Sequence, residues 1–145
     1  MHRGLLRSRR IFVATLTVIV VATTTALAAQ PATGRFHWQV CSSAPGGPCP
    51  VATIDFKVQK KKGHPAAITG FDYYSGFTCG DVPIGPPIKI NSKGSFSFSG
   101  KSKSRKIPIT VSGKFVSPKK AVGTLVIHAS CQTPTPVKFT AKHAK

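Results

Sequence analysis

The chain has 145 residues, of which 21 are lysine or arginine and 3 are acidic, so its formal net charge at pH 7 is +18. The acidic residues are Asp55, Asp72 and Asp81, and there is no glutamate. This composition argues against reactions that need a pair of positioned carboxylates, such as most glycoside hydrolysis. The length suits one domain with a core of its own.

The first 28 residues have the layout of a secretory signal peptide. Several arginines precede the uncharged stretch "IFVATLTVIVVATTTALAA", and Ala26–Ala28 offers the small-x-small pattern of a cleavage site. We therefore expect residues 1–28 to be removed and residues 29–145 to form a single secreted domain. A retained membrane anchor is the alternative, because the stretch is nearly long enough to span a bilayer. The motif "SRRIF" leaves the twin-arginine export route open.

Beyond the signal, apolar and polar residues alternate with period two, which is typical of strands with one buried face. "RFHWQV" and "ATIDFKV" are the first two predicted strands, and "KKKGHP" is a turn. "ITGFDYYSGFTC" is a third strand with a bend or bulge at Ser75 and Gly76. "GDVPIGPP" is too rich in proline and glycine to be a central strand.

The second half of the chain continues the alternation with shorter turns. Further strands are predicted at residues 88–90, 96–98, 107–115, 121–127 and 137–141. About eight short strands with turn signals between them predict an all-β fold. We expect an antiparallel β-sandwich, with a small β-barrel as the alternative.

The four cysteines, Cys41, Cys49, Cys79 and Cys131, all follow the signal. An even number in an exported chain without a Cys-x-x-Cys motif indicates disulfides rather than metal or redox chemistry. Three pairings are possible. "SSAPGGP" between Cys41 and Cys49 folds the chain back on itself, which favours that pair and leaves Cys79 with Cys131. Both members of the second pair have the inward parity of their predicted strands, as a bridge across the core requires.

The run "GKSKSRK" lies between two predicted strands, so its simplest interpretation is a solvated hairpin tip. Its cations are nevertheless the best candidates for binding a polyanion. The candidate set is Lys101, Lys103, Arg105 and Lys106 at this tip, with Lys119 and Lys120 at a second turn.

No residue pattern indicates catalysis or a cofactor. A Gly-x-Ser-x-Gly elbow is missing from the sequence, and each aspartate is more simply a turn or surface residue. His37, His64, His128 and His143 are scattered without metal-ligand spacing, so no metal is expected. Trp38 and Tyr73 are expected in the core, whereas the outward parity of Tyr74 makes it a candidate for ligand contact.

The stretch "VSGKFVSPKKAVGTLVIHASCQTPTPVKFTAK", Val111–Lys142, resembles uncharacterised small secreted β-sandwich proteins of high-GC Gram-positive bacteria. Together with the upstream "GFTC" and "IKINSKGSFSFSG", the resemblance covers about the last half of the chain. It implies a β-sandwich with a Cys79–Cys131 bridge and supplies no functional residues. The Cys41–Cys49 loop has no counterpart in that pattern.

These observations together predict a secreted or cell-envelope protein that binds without catalysis. The first candidate partner is an anionic cell-wall polymer, an acidic polysaccharide or an anionic surface, because a strongly basic protein attracts polyanions. The alternative is an effector or inhibitor that presents the Cys41–Cys49 loop to a protein partner. Intracellular nucleic acid is not expected, because the signal directs the chain out of the cell.

Overall fold

The computed structural model describes residues 30–62, 64, 66–76, 80–129 and 136–145. These residues form β-strands and no helix. The strands are β1 Gly34–Val40, β2 Ala52–Gln59, β3 Ala67–Ser75, β4 Gly80–Pro83, β5 Ile88–Lys89, β6 Ser95–Lys101, β7 Pro108–Ser117, β8 Lys120–Ile127 and β9 Val137–His143. The predicted signal peptide and the predicted Cys79–Cys131 bridge lie outside the described residues.

All nine strands belong to one antiparallel sheet in the order β4-β3-β2-β1-β9-β8-β7-β6, with β5 paired to β3. An isolated bridge joins Ile90, which follows β5, to Phe96 of β6. This bridge brings β6 beside the segment that follows β5, and the sheet curls into a half-barrel. The predicted all-β antiparallel class is confirmed. Opposite walls of one curled sheet take the place of the two layers of a sandwich.

Burial along the strands follows the alternation in the sequence. In β2, Ile54, Phe56 and Val58 are buried, and the residues between them are half-buried or exposed. Phenylalanine rings then pack between strands that are not neighbours in the sheet. The ring centroids are 5.4 Å apart for Phe36–Phe115, 6.4 Å for Phe56–Phe96 and 6.2 Å for Phe71–Phe139. These contacts show that the curled sheet encloses its own core.

A row of four residues crosses the inner face from β6 to β9. Phe96, Gly113, Gly123 and Phe139 are successive cross-strand partners. A Cβ atom at Gly113 would lie 2.5 Å from Cζ of Phe96, and one at Gly123 would overlap Cζ of Phe139. The two rings therefore occupy the space over the two glycines, as aromatic residues do beside glycine in designed sheets.

The antiparallel pairing separates the connections into two ends. The disulfide loop between β1 and β2 and the basic loop between β6 and β7 lie at one end, named here the loop end. The β2–β3, β5–β6 and β7–β8 turns and the residues after β9 lie at the opposite end, named here the turn end. This division decides which charged residues can act together.

The predicted exclusion of "GDVPIGPP" from the centre of the sheet agrees with the position of β4. This short strand lies at a margin of the sheet and pairs with β3. Tyr73 is buried, and Trp38 is half-buried against the core. A disulfide joins Cys41 to Cys49, whose Cα atoms are 4.4 Å apart.

Candidate functional site

Positive charge is exposed and largely unopposed. The structure describes all fifteen lysines; every one of them is exposed, and none lies in a salt bridge. Asp55 lies close to two basic side chains of β1. Nη2 of Arg35 lies 2.8 Å from Oδ1 of Asp55, and Nδ1 of His37 lies 3.1 Å from the same oxygen.

The three aspartates are grouped on one side of the sheet. Asp55 of β2 and Asp72 of β3 are direct cross-strand partners, and Asp81 on β4 is opposite Tyr74, two residues further along β3. Burial raises the pKa of Asp72 above its ordinary value, and the charges of Asp81 and Asp55 raise it further. The Tyr73 amide, by hydrogen bonding, partly lowers this pKa. Negative charge is therefore concentrated on the outer face of β2–β4.

One cross-strand row shows how the charges are separated. Lys120 of β8 pairs with Lys142 of β9, which pairs with His37 of β1; His37 pairs with Asp55, and Asp55 with Asp72. Two lysines directly opposite each other repel, and so do two aspartates. Across the sheet, this row is thus positive at β8 and β9 and negative at β2 and β3.

Turn chemistry presents many of the lysines at the turn end. In the β5–β6 turn, Oδ1 of Asn91 accepts hydrogen bonds from the amides of Lys93 and Ser95, each 2.9 Å long. In the β7–β8 turn, the Lys119 carbonyl accepts the His143 amide, which brings the end of β9 to this turn. The turn-end lysines are Lys60, Lys61, Lys62, Lys93, Lys119, Lys120 and Lys145.

The basic loop between β6 and β7 is fixed against the sheet. Ser102 is buried, its amide donates to the Ile107 carbonyl, and its Oγ accepts the Ile107 amide at 3.0 Å. The Lys103 amide donates to the Pro83 carbonyl of β4 at 2.8 Å. The loop therefore contacts the strand that carries Asp81, at a point two residues along the chain from that aspartate.

The residues predicted to bind polyanions do not form one patch. Lys101, Lys103, Arg105 and Lys106 belong to the loop end, whereas Lys119 and Lys120 belong to the turn end. Both groups are exposed. Polyanion binding by either group stays a prediction. Of the turn-end lysines, only Lys119 and Lys120 were predicted from the sequence, because the others come from separate segments of the chain.

Tyr74 is 40% exposed on β3, as its parity predicts, and its position bears on its role. Its cross-strand partners are Thr53 and Asp81, so it stands on the acidic side of the sheet. Its contact with a ligand stays a prediction, and the local charge does not favour a polyanion there.

A cleft of about 550 Å³ opens beside the turn end. Gln59, Ala67 and Lys89 are successive cross-strand partners on β2, β3 and β5. The small side chain of Ala67 leaves a hollow between two longer ones, and Lys61 and His64 from the β2–β3 connection line the same cleft. This cleft brings cationic side chains together in one concave surface, and it was not predicted from the sequence.

Two other grooves differ in character. A groove of about 830 Å³ is lined by apolar and small polar residues of β5, β6 and β7 and of the β5–β6 turn, and Lys89 is its one cationic residue among those described. Another, of about 520 Å³, lies where β1 and β9 separate after only two residue pairs, and its lining includes Trp38 and Lys142. Neither brings several cations into one concave surface beside hydrogen-bonding side chains.

Two histidines make hydrogen-bonding contacts within the fold. His37 Nε2 lies 3.2 Å from Oε1 of Gln39, and His143 Nε2 lies 2.9 Å from the Thr33 carbonyl oxygen. Across the described ranges, no three His, Cys, Asp or Glu side chains are arranged to hold a metal ion. The same residues contain no helix that could cross a bilayer.

Comparison of the chain with protein-family models, with curated proteins and with solved structures gives no match.

Proposed function

We propose that this chain is a secreted, non-catalytic module of the cell envelope that binds anionic polymers, chiefly through its turn end. The observation that carries the proposal is that all fifteen lysines are exposed and none is paired with a carboxylate. A polymer with regularly spaced phosphate or carboxylate groups offers the missing negative charges.

The turn end suits such a polymer better than the basic loop does. Its lysines lie on three turns and the C-terminal segment, which are spread around the rim of the half-barrel. The basic loop instead contacts β4, the strand that carries Asp81. The Debye length is about 8 Å at physiological ionic strength, so a polymer is influenced mainly by the charges close to its point of contact. The negative charge of Asp81 therefore counts against binding of a polyanion at the basic loop.

Binding of this kind follows from charge and counterion release. A polyanion carries condensed cations, and each phosphate neutralised by a lysine releases some of them into solution. This attraction needs no stereochemical readout. Because it is driven by the release of counterions, the affinity falls steeply as the salt concentration rises. The repulsion between Lys120 and Lys142, which are direct partners, would also be relieved by an anion bound across them.

The proposal is tested by titrating the mature protein with long-chain polyphosphate at several salt concentrations. We expect the affinity to fall by about a hundredfold or more between 50 and 200 mM salt, as for proteins that contact several phosphates. A neutral polysaccharide is the control and should not bind. Binding to cell walls should be lost after extraction of their phosphodiester polymers. Salt-independent binding, or no binding to polyphosphate, would refute the proposal.

A protein partner for the disulfide loop is the second candidate. The Ser42 amide donates to the Pro48 carbonyl and the Gly47 amide to the Ala44 carbonyl, so the loop has a defined shape, and most of its residues are exposed. The loop carries no charge and lies at the end opposite the turn end. A stoichiometric, salt-insensitive complex that is lost on replacing Pro45 and Pro48 by serine would favour this candidate.

A further inference from the structure

We propose that the cleft beside the turn end is a specific seat for one phosphate group on a sugar or polyol unit. This inference rests on the proposed function and adds a defined site and ligand chemistry to it. It predicts that the protein recognises the repeating unit of a polymer in addition to being attracted by its charge.

The register of three strands builds the seat. Lys89 and Gln59 stand on either side of Ala67, and Thr69 follows two residues along β3 on the same outer face. Pro87 lies two residues before Lys89 and lines the same cleft. Side chains of alternate residues share one face of a strand, so the short alanine side chain forms the floor and the longer ones form the walls.

The lining matches the chemistry of a phosphate ester. Lys61 and Lys89 are compact cations of the kind that binds phosphate, and Thr69 and Gln59 add hydroxyl and amide donors. A phosphate monoester presents three strong acceptor oxygens and the phosphodiester of a polymer unit presents two non-bridging ones, so either group can use more than one of these donors at once. The imidazole of His64 completes the polar wall.

Negative charge stays away from the seat. Among the described residues no carboxylate lines the cleft, and along the lining strands Asp72 comes nearest, three residues along β3 from Thr69. At about 3.3 Å per residue this separation is roughly 10 Å, which exceeds the physiological Debye length of about 8 Å. The two lysines are thus not neutralised by the acidic side of the sheet.

The size of the cleft argues for more than an isolated phosphate ion. Its volume of about 550 Å³ lies within the ordinary range for small-ligand sites. The methyl group of Ala67 and the ring of Pro87 give an apolar patch beside the cations. A phosphorylated sugar or polyol has carbon atoms for that patch and hydroxyl groups for Gln59 and Thr69.

The experiment compares glycerol 3-phosphate, glycerol and sulfate by amide chemical-shift titration of the mature protein. We expect glycerol 3-phosphate to shift the amides of Gln59, Lys61, Thr69 and Lys89 and to bind at least about tenfold more tightly than sulfate. Glycerol alone should shift none of them. Equal binding of sulfate would overturn the specificity for phosphate esters, and shifts spread over all the turns would overturn the seat.

Charge-matched variants separate the seat from general attraction. Lys61→Ser/Lys89→Ser should weaken glycerol 3-phosphate binding by about tenfold or more. Lys114→Ser/Lys138→Ser removes the same charge from exposed strand positions outside the cleft and the turn-end set, and should change the affinity by less than about twofold. Equal losses in the two double variants would overturn the seat.

A third variant fills the cleft without changing the charge. Ala67→Leu should abolish glycerol 3-phosphate binding and leave the salt-dependent attraction to polyphosphate intact, with Thr110→Leu on the outer face of β7 as the control. If wild type binds polyphosphate but Ala67→Leu still binds glycerol 3-phosphate, only this inference falls. If wild type binds glycerol 3-phosphate in the cleft but not the polymer, the seat stands and the proposed function falls. If wild type binds neither ligand, both fall.

Discussion

Replacing Gly123 by alanine tests the interior packing of the half-barrel. The added Cβ would overlap Cζ of Phe139 and lie 2.6 Å from the Ser112 carbonyl oxygen, so either the ring or the strand must move. Overpacking of this kind costs about 1–3 kcal/mol. Loss of glycine freedom in the unfolded chain offsets about 0.4–1 kcal/mol of it. We therefore expect a net destabilisation of about 1–2 kcal/mol.

Urea unfolding of the mature domain measures this change, and thermal unfolding should show a fall of about 4 °C for each kcal/mol. Gly85→Ala is the matched control, because it is exposed and a Cβ there would make only ordinary contacts. Combining Gly123→Ala with Phe139→Leu should cost less than the sum of the two single changes, because the leucine side chain is shorter than the ring. If Gly123→Ala is no more destabilising than Gly85→Ala, the Phe139 ring does not lie over Gly123, and the packing described for the inner face of the sheet is wrong.

Three further predictions concern stability. The folded-state pKa of Asp72 is raised above its unfolded value, so its ionisation opposes folding as the pH rises. Asp72→Asn should therefore raise the Tm at pH 7 and have little effect on it below about pH 3.9, where the carboxyl is protonated in both states; an unchanged Tm at pH 7 would contradict the raised pKa. Serine at both Cys41 and Cys49 should lower the free energy of unfolding by about 2.5 kcal/mol in urea titrations, because the bridge spans eight positions; an unchanged midpoint would contradict the chain-entropy argument. Lys106 has a φ of 56°, so Lys106→Gly should stabilise the domain by up to about 1 kcal/mol, and a lower Tm would contradict the strain.

The fold class was predictable because every long strand carries the alternation of a half-buried sheet. The curling of the sheet into a half-barrel was not predictable from the sequence. It depends on the two residues of β5 and on one bridge between Ile90 and Phe96, and so short a pairing leaves no periodic signal. The extra strand β4 was missed as a strand because proline excludes a central position but permits a marginal one.

For the candidate site, the sequence indicates only an abundance of cations. Lysine abundance predicted a polyanion partner, and the longest basic run drew attention to residues 101–106. The turn end could not be recognised without the strand directions, since its lysines are distant in sequence. The cleft required the register as well. Only the pairing of Ala67 with both Gln59 and Lys89 shows that a small residue lies between two long ones.

Solubility alone does not account for this distribution of charge. A surface made for solubility mixes both signs, and lysines that protect a sheet edge are needed only on exposed margins. Here Lys120 and Lys142 stand directly opposite each other between two paired strands, where like charges oppose folding. Asp55 and Asp72 are likewise direct cross-strand partners, on β2 and β3, and their like charges also oppose folding. A fold that keeps both repulsions separates this pair of lysines from this pair of aspartates, and under the proposed function that separation would orient an approaching polyanion toward the lysines.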